Sequence, residues 1–267
     1  MTRTGAATLA LMGALVLHGD AQPVQPIYLQ YDGFVRNKDN HTLTLSFGYY
    51  NMNHVEVRIP AGDANGFIPG PADRNQPLTL LEGRHRFVCA IVVPENFDGK
   101  LQWQVKFAAK TAMTTEKVLN PLYELEANGE RRVMNGLDLK TAPKGTCVNR
   151  SPNIQVINPN ADVNAGADTL AATSFAGRVG TELTLNGEVQ DDGLPRDSKL
   201  VISWKKNGGP GNVTFSSTET GPTRASFSVP GEYELELSGT DGEKANSVKI
   251  KVTVTAASPT GGGGGAF

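Results

Sequence analysis

From Leu183 to Val254 the chain alternates apolar with polar residues at period two, and each run ends at Gly, Pro or Asp-Gly. Successive side chains of a strand point to opposite faces, so this pattern predicts half-buried β-strands and leaves no room for a helical reading. Leu183, Leu185, Gly187 and Val189 form the first run. Asp192-Gly193 turns it, because Gly accepts positive φ and Asp hydrogen-bonds nearby backbone. Leu200, Ile202 and Trp204 follow, then a break at Gly208-Gly209-Pro210-Gly211. Val213 with Phe215, and Thr223, Ala225, Phe227 with Val229, are the next two strands. Pro230-Gly231 leads into Tyr233, Leu235 and Leu237, and Asp241-Gly242 into Val248, Ile250, Val252 and Val254. Short strands with turn signals at this spacing predict a β-sandwich.

The same stretch resembles the polycystic-kidney-disease (PKD) type of immunoglobulin-like domain. The residues that carry the resemblance are Asn149-Arg150-Ser151-Pro152, Ala165-Gly166-Ala167-Asp168, Asp191-Asp192-Gly193-Leu194-Pro195, Trp204, Gly209-Pro210-Gly211, Phe227, Gly231-Glu232-Tyr233 and Asp241-Gly242. Their order matches over Asn149 to Ala256. The departure is at Ser174 to Gly180, which is longer and more polar than that pattern has before its second strand. The resemblance implies a seven-stranded sandwich in an extracellular protein, serving as spacer or adhesion module, with no catalysis.

The first half has strand patterning of its own. Ile27 to Val35 reads as a strand broken at Asp32-Gly33, and Leu43, Leu45, Phe47 and Tyr49 alternate with Thr42, Thr44, Ser46 and Gly48. Val55, Val57 and Ile59 make a strand ended by Pro60. Arg84 to Val93 is apolar on both faces, as a covered central strand is, and Leu101, Trp103, Val105 and Phe107 alternate with Lys and Gln. Ala61 to Pro77 fits neither strand nor helix; a loop this long is either an ordered connection capped by Phe67 or a ligand-contacting loop. Thr114 to Glu126 is ambiguous because Pro121 interrupts a helical spacing, and Ala127 to Gly145 reads as loop with a short strand at Val133. This half resembles a group of uncharacterised bacterial exported proteins in Gly48-Tyr49-Tyr50-Asn51-Met52-Asn53, Ile59-Pro60-Ala61-Gly62, Asn65 to Gly70, Asp73-Arg74-Asn75-Gln76-Pro77, Val93 to Phe97 and Trp103. That resemblance implies a bacterial exported domain and no chemistry.

The ends fix the compartment expected. Arg3, the apolar stretch Ala6 to Leu17 and the small residues Gly19-Asp20-Ala21 have the order of a secretory signal peptide, so 1–21 is expected to be cleaved. The competing reading is an uncleaved anchor, but the apolar run is short for a span. The expected organisation is a domain at 22–148, a PKD-type domain at 149–257 and a Gly-rich tail at 258–267. The fold class is all-β, with two β-sandwich domains. A secreted, periplasmic or cell-surface location follows. With a net charge of −2 and both signs mixed, no basic patch with interleaved aromatics favours nucleic acid.

No nucleophile elbow, phosphate-binding Gly loop or zinc-helix motif occurs, so no catalytic residue is assigned. Outside the signal, His41, His54 and His85 follow no metal-ligand spacing. Tyr50, Phe67, Asp73 and Arg74 are the candidate ligand contacts. Asp191, Asp192 and Asp241, at two Asp-Gly turns, are candidate calcium ligands, since hard cations take carboxylate oxygens; the alternative is that each caps its own turn. No cofactor is expected, with calcium the one alternative. The two cysteines, Cys89 and Cys147, are an even count in an oxidising compartment, which favours a bridge. Cys89 as a small buried hydrophobe, with Cys147 free or paired to another chain, is the competing picture.

These features predict a non-catalytic exported protein acting in adhesion, display or assembly, with a protein or cell-surface polysaccharide as partner. A carbohydrate- or polymer-binding module is the alternative, and an extracellular hydrolase has the least support. Partner identity and oligomeric state are not encoded in any motif.

Overall fold

The computed structural model describes residues 25–125, 133–157 and 171–258. The expected signal segment, most of the Gly-rich tail and Ala165 to Asp168 lie outside the described residues. The fold is all-β. Its first half holds β1 (Ile27–Asn37), β2 (Thr42–Asn51), β3 (Val57–Arg58), β4 (Asn65–Ile68), β5 (Thr79–Leu80), β6 (Gly83–Pro94), β7 (Gln102–Phe107) and β8 (Lys110–Met113). The second holds β9 (Asn153–Ile157), β10 (Ser174–Arg178), β11 (Leu183–Gln190), β12 (Val201–Gly208), β13 (Val213–Phe215), β14 (Pro222–Phe227), β15 (Gly231–Thr240) and β16 (Ala245–Thr255).

In the first half the sheet β1-β2-β6 packs on the sheet β4-β7-β8, with β3-β5 a small separate pair. Phe34, Leu45, Phe47 and Tyr49 of one sheet meet Phe67, Trp103 and Val105 of the other in one buried cluster. The Phe67 ring stacks on Trp103 at 5.9 Å and meets Phe47 edge-on at 5.2 Å. Trp103 needs a partner for its buried N–H, and its Nε1 donates to Asn65 Oδ1 at 2.8 Å. Asn65 Nδ2 in turn donates to the carbonyls of Ile59 and Pro77.

Those bonds explain why the loop reading of 61–77 is incomplete. Residues 65–68 form β4, opposite Trp103. A fully buried Asn at an inward position hides the alternation, because its hydrogen bonds replace the apolar contact that the pattern requires. Asp32-Gly33 likewise does not break β1; it makes a bulge between Tyr31 and Gly33, and the strand continues to Asn37. The expected strand around Val57 shrinks to two residues, Pro121–Tyr123 is a 3-10 turn capped by Asn120, and Val133 packs with Val35 and Phe87 instead of forming a strand.

β6 is buried on both faces and bonded along both edges: β2 on one side, residues 144–148 on the other through Gly145 N to Val92 O and Val148 N to Ala90 O. A disulfide joins Cys89 on this strand to Cys147, with Cα atoms 4.8 Å apart. The exit of the first half is thereby stapled to its centre.

The second half is two four-stranded sheets, β10-β16-β15-β12 and β13-β14-β11-β9, around Leu185, Trp204, Phe227, Tyr233, Leu235 and Val252. Trp204 Nε1 donates to Gly221 O at 2.8 Å. Gly187 is required where it stands: a Cβ there would meet Gly221 O at 2.5 Å and Leu237 Cδ2 at 2.6 Å. The polar stretch at Ser174 is β10, paired parallel to β16 at the sheet edge, so the described residues of this half form eight strands where the resemblance implies seven. No helix among the described residues is long and apolar enough to cross a membrane.

Denatured, unreduced protein is expected to show no free thiol. Replacing Cys89 and Cys147 together with Ala is expected to cost up to about 4 kcal/mol by loop closure, read from chemical denaturation. Two titratable thiols per chain, or a reducible dimer, would contradict the intrachain bridge.

Candidate functional site

Several buried or half-buried charged side chains converge where the two halves meet. The chain enters the second half at Asn149-Arg150, and the turn after β11, 191–197, reaches back to the first half. Gly193, at φ +77°, takes the left-handed backbone this turn needs. Its N–H donates to Asp191 Oδ2 at 3.0 Å, and Leu194 N donates to Asp192 Oδ1 at 3.0 Å. Leu194, fully buried, sits in the core cluster of the first half. Arg196 clamps Asp73 through two N–H donors and gives Nε to Gln76 O at 3.0 Å. Arg58 pairs with Asp197 at 2.6 Å across the same seam.

Arg150 is the centre of this seam. Its side chain is 8% exposed, and its Nε stands 3.6 Å from Asp192 Oδ2, whose side chain is 2% exposed. The Arg150 backbone N–H donates to the same oxygen at 2.9 Å. Nη1 donates to Val133 O at 3.0 Å and Nη2 to Phe87 O. Phe87 presents that carbonyl because its φ of +59° bulges β6. Burial pushes the Asp192 carboxyl up to about 7, with Arg150 working against the rise. Burial also lifts Asp191 to about 6, and the nearby Asp241 carboxylate adds to it. A cavity of about 50 Å³ between Arg86, Asn135, Arg150 and Asp191 opens on the seam. Beside it lies a groove of about 500 Å³, with Leu78, Leu81 and His85 on one wall and Val189, Asp191 and Lys199 on the other.

The structure sorts the sequence candidates sharply. Phe67 is 1% exposed, so it is core and no ligand contact. Arg74 is engaged by the carbonyls of Gly145, Pro69 and Gly70, and Asp73 by Arg196, so both side chains support the fold. Tyr50 and Asp73 are exposed, and of these two Tyr50 is the one whose side chain makes no bond to the fold among the described residues. Asp192 has both oxygens engaged by protein donors and is not a free ligand. Asp191 and Asp241 differ. Asp241 Oδ1 accepts from Glu243 N and Lys244 N, but its Oδ2 is buried without a partner among the described residues. Asp191 Oδ1 and Asn149 Oδ1 are buried and unpartnered in the same way. Asn149 reaches the 241 turn, donating Nδ2 to Glu243 Oε2 at 3.1 Å.

Unpartnered buried oxygens are costly. Two carboxylates and one amide carbonyl are the donor types that calcium takes. Among the described residues no three His, Cys, Asp or Glu side chains group to hold a metal, so the amide of Asn149 is essential to any such set. Asn149 was missed in the sequence because an Asn before an Arg carries no ligand spacing. The histidines do not converge: His41 pairs with Glu95, His54 with Glu82, and His85 stacks on Tyr49.

No family model matches the chain. Among solved structures it is similar to a nucleoside hydrolase-related hypothetical protein from Saccharophagus degradans that is associated with carbohydrate metabolism, at 16% identity and a TM-score of 0.33. That match covers 55% of this chain and 35% of the other, so the chain spans about a third of its length. It is similar also to the PKD domain from KIAA 1837 protein, at 17% identity over 38% of this chain and 100% of the other, with a TM-score of 0.26. A third is Drosophila N-cadherin EC1-3, at 10% identity over 88% and 69%, with a TM-score of 0.28. At these TM-scores the likenesses carry no argument, and the functional reading rests on the geometry.

Two outcomes follow for the seam. Arg150→Ala leaves Asp192 buried without its counter-ion and is expected to cost about 3–5 kcal/mol in chemical denaturation; a loss under 1 kcal/mol would contradict the role. Asp191 and Asp192 titrate higher folded than unfolded, so their contribution is full below about pH 4 and is lost as the pH rises through 6 to 7. In chelator, stability is expected to fall between about pH 5 and pH 7, less so in Asp191→Asn. A rise over that window would contradict the assignment.

Proposed function

We propose that the chain is a non-catalytic exported module in which two β-sandwiches act as one stiff unit, in adhesion, display or assembly at the cell surface. The observation that carries this reading is the seam: Leu194 enters the core of the other half, and Arg150 and Arg196 bond across it. A connection built for free swivelling has few such bonds, whereas a spacer that holds a binding surface at a set angle needs them.

A calcium ion on Asn149, Asp191 and Asp241 fits this role. It would join the segment entering the second half to two of that half's turns and satisfy three buried oxygens. When bound it supplies positive charge beside the two carboxylates; the residues themselves provide the fixed turns that hold the oxygens in place. A second reading, a polymer-binding module, is favoured by Tyr28 and Tyr50, which stand exposed as cross-strand neighbours.

Expression in a bacterial host with a C-terminal epitope is expected to yield an exported chain beginning near Gln22 by N-terminal sequencing. A cytosolic chain beginning at Met1 would sink the exported reading. For the metal, calcium at a hundredfold excess over Kd is expected to stabilise the protein by about 3 kcal/mol through mass action. Asp191→Asn or Asp241→Asn should abolish that gain. Melting curves that coincide in calcium and in chelator would reject the site.

A further inference from the structure

The outer face of the β1-β2-β6 sheet is covered at one end by Phe87, Val133 and Met134, which pack on Val35. The other end is open. There Tyr28 lies directly opposite Tyr50, and Tyr50 directly opposite Arg84. The tyrosines are 53% and 44% exposed, while their chain neighbours Ile27 and Tyr49 are buried on the opposite face. Directly paired residues of antiparallel strands have Cβ atoms about 5 Å apart, so the two tyrosines leave the sheet from adjacent points. Aromatic rings left in water beside polar groups mark binding surfaces more often than isolated aliphatic residues do.

Arg84 is held, not free to sweep. Its Nη2 donates to Gln30 Oε1 at 2.8 Å, and Gln30 Nε2 donates to Asp32 Oδ1 at 3.0 Å. Asp32 is the root of this relay: its side chain is fully buried and accepts from Arg86 Nε at 2.8 Å and Phe87 N at 2.7 Å. Arg86 pairs with Asp32 directly, while Arg84 acts on it only through space. Arg84 makes no ion pair among the described residues, and its remaining N–H donors face no protein acceptor among them. Glu82, two residues away, is taken by His54. Between Gln30 and the β6 backbone stands Gly48, where a Cβ would meet Asp32 Oδ2 at 2.5 Å and His85 O at 2.6 Å. No side chain therefore rises from β2 at that row, and the surface beside the rings stays level.

We infer that this face binds an acidic polysaccharide. The rings of Tyr28 and Tyr50 offer the flat apolar surface against which the C–H face of a pyranose packs. The guanidinium of Arg84 is a planar donor suited to a uronate carboxylate. Gln30 and the tyrosine hydroxyls meet sugar hydroxyls. A guanidinium already fixed by its relay loses less conformational entropy on binding than a free arginine. The inference deepens the polymer-binding reading and commits it to a site and to a charge; a neutral glycan would leave Arg84 without a carboxylate to meet.

The test is titration calorimetry of the full chain with polygalacturonate and, separately, with neutral dextran. Binding to polygalacturonate alone is expected, weakened by about tenfold or more in Tyr28→Ala/Tyr50→Ala. Arg84→Gln is expected to lower the affinity similarly and to flatten its salt dependence. Unchanged melting temperatures in these surface variants keep the losses local. Absence of binding to polygalacturonate, alginate and hyaluronate alike would overturn the inference. So would equal affinity for dextran, or tyrosine and Arg84 variants that bind as the parent does. The experiment uses purified protein, so its failure leaves the export reading standing, and a failed export assay leaves the binding result standing.

Discussion

A buried arginine sets the terms for this molecule. Arg150 lies at the point where one sandwich hands the chain to the next, and its charge cannot be left there alone; desolvating an ion costs several kcal/mol before any pairing. The surroundings answer with Asp192, two main-chain carbonyls and the nearby carboxylates of Asp191 and Asp32. Each answer fixes something else. The Phe87 carbonyl is available because β6 bulges there, the bulge is held by Asp32, and the Val133 carbonyl ties in the segment that crosses the outer face. A buried ion pair is a poor source of net stability but an effective one of geometry, since few arrangements satisfy both partners. Here that geometry is the way one sandwich meets the next.

The other connections act on the same seam by different physics. The Cys89–Cys147 bridge limits where the chain can leave the first half, so Arg150, three residues further on, starts from a fixed point. Leu194 contributes by burial: removing a fully buried leucine commonly costs about 2–5 kcal/mol. Arg196 and Arg58 lie nearer to solvent, and such pairs orient more than they stabilise. The combination places the open face with Tyr28, Tyr50 and Arg84 on a body whose two halves are joined at several points.

Most strands were legible because alternation is a direct consequence of strand geometry. It failed where another force occupied an inward position. Asn65 and Gln76 are buried by hydrogen bonds, which hid β4 and made an ordered segment look like loop. Phe87 adopts a left-handed backbone no phenylalanine favours, so nothing in its neighbours announces the bulge. Leu194 reads as one apolar residue in a polar turn; its burial comes from the other half of the chain, and no local pattern carries that. The site was legible only as residue types. The acidic turns at 191 and 241 are visible in the sequence, but which of their oxygens lack partners, and that Asn149 bonds to the 241 turn, depends on three segments far apart in the chain.

If the seam joins the two sandwiches into one mechanical unit, as proposed, they melt together, although strand patterning that restarts after Pro152 reads as two separate domains. Differential scanning calorimetry of the full chain decides between these outcomes. A single transition whose calorimetric and van't Hoff enthalpies agree is the result expected, resolving into two in Leu194→Ala. Two transitions in the parent protein, with positions unmoved by Leu194→Ala, would contradict it.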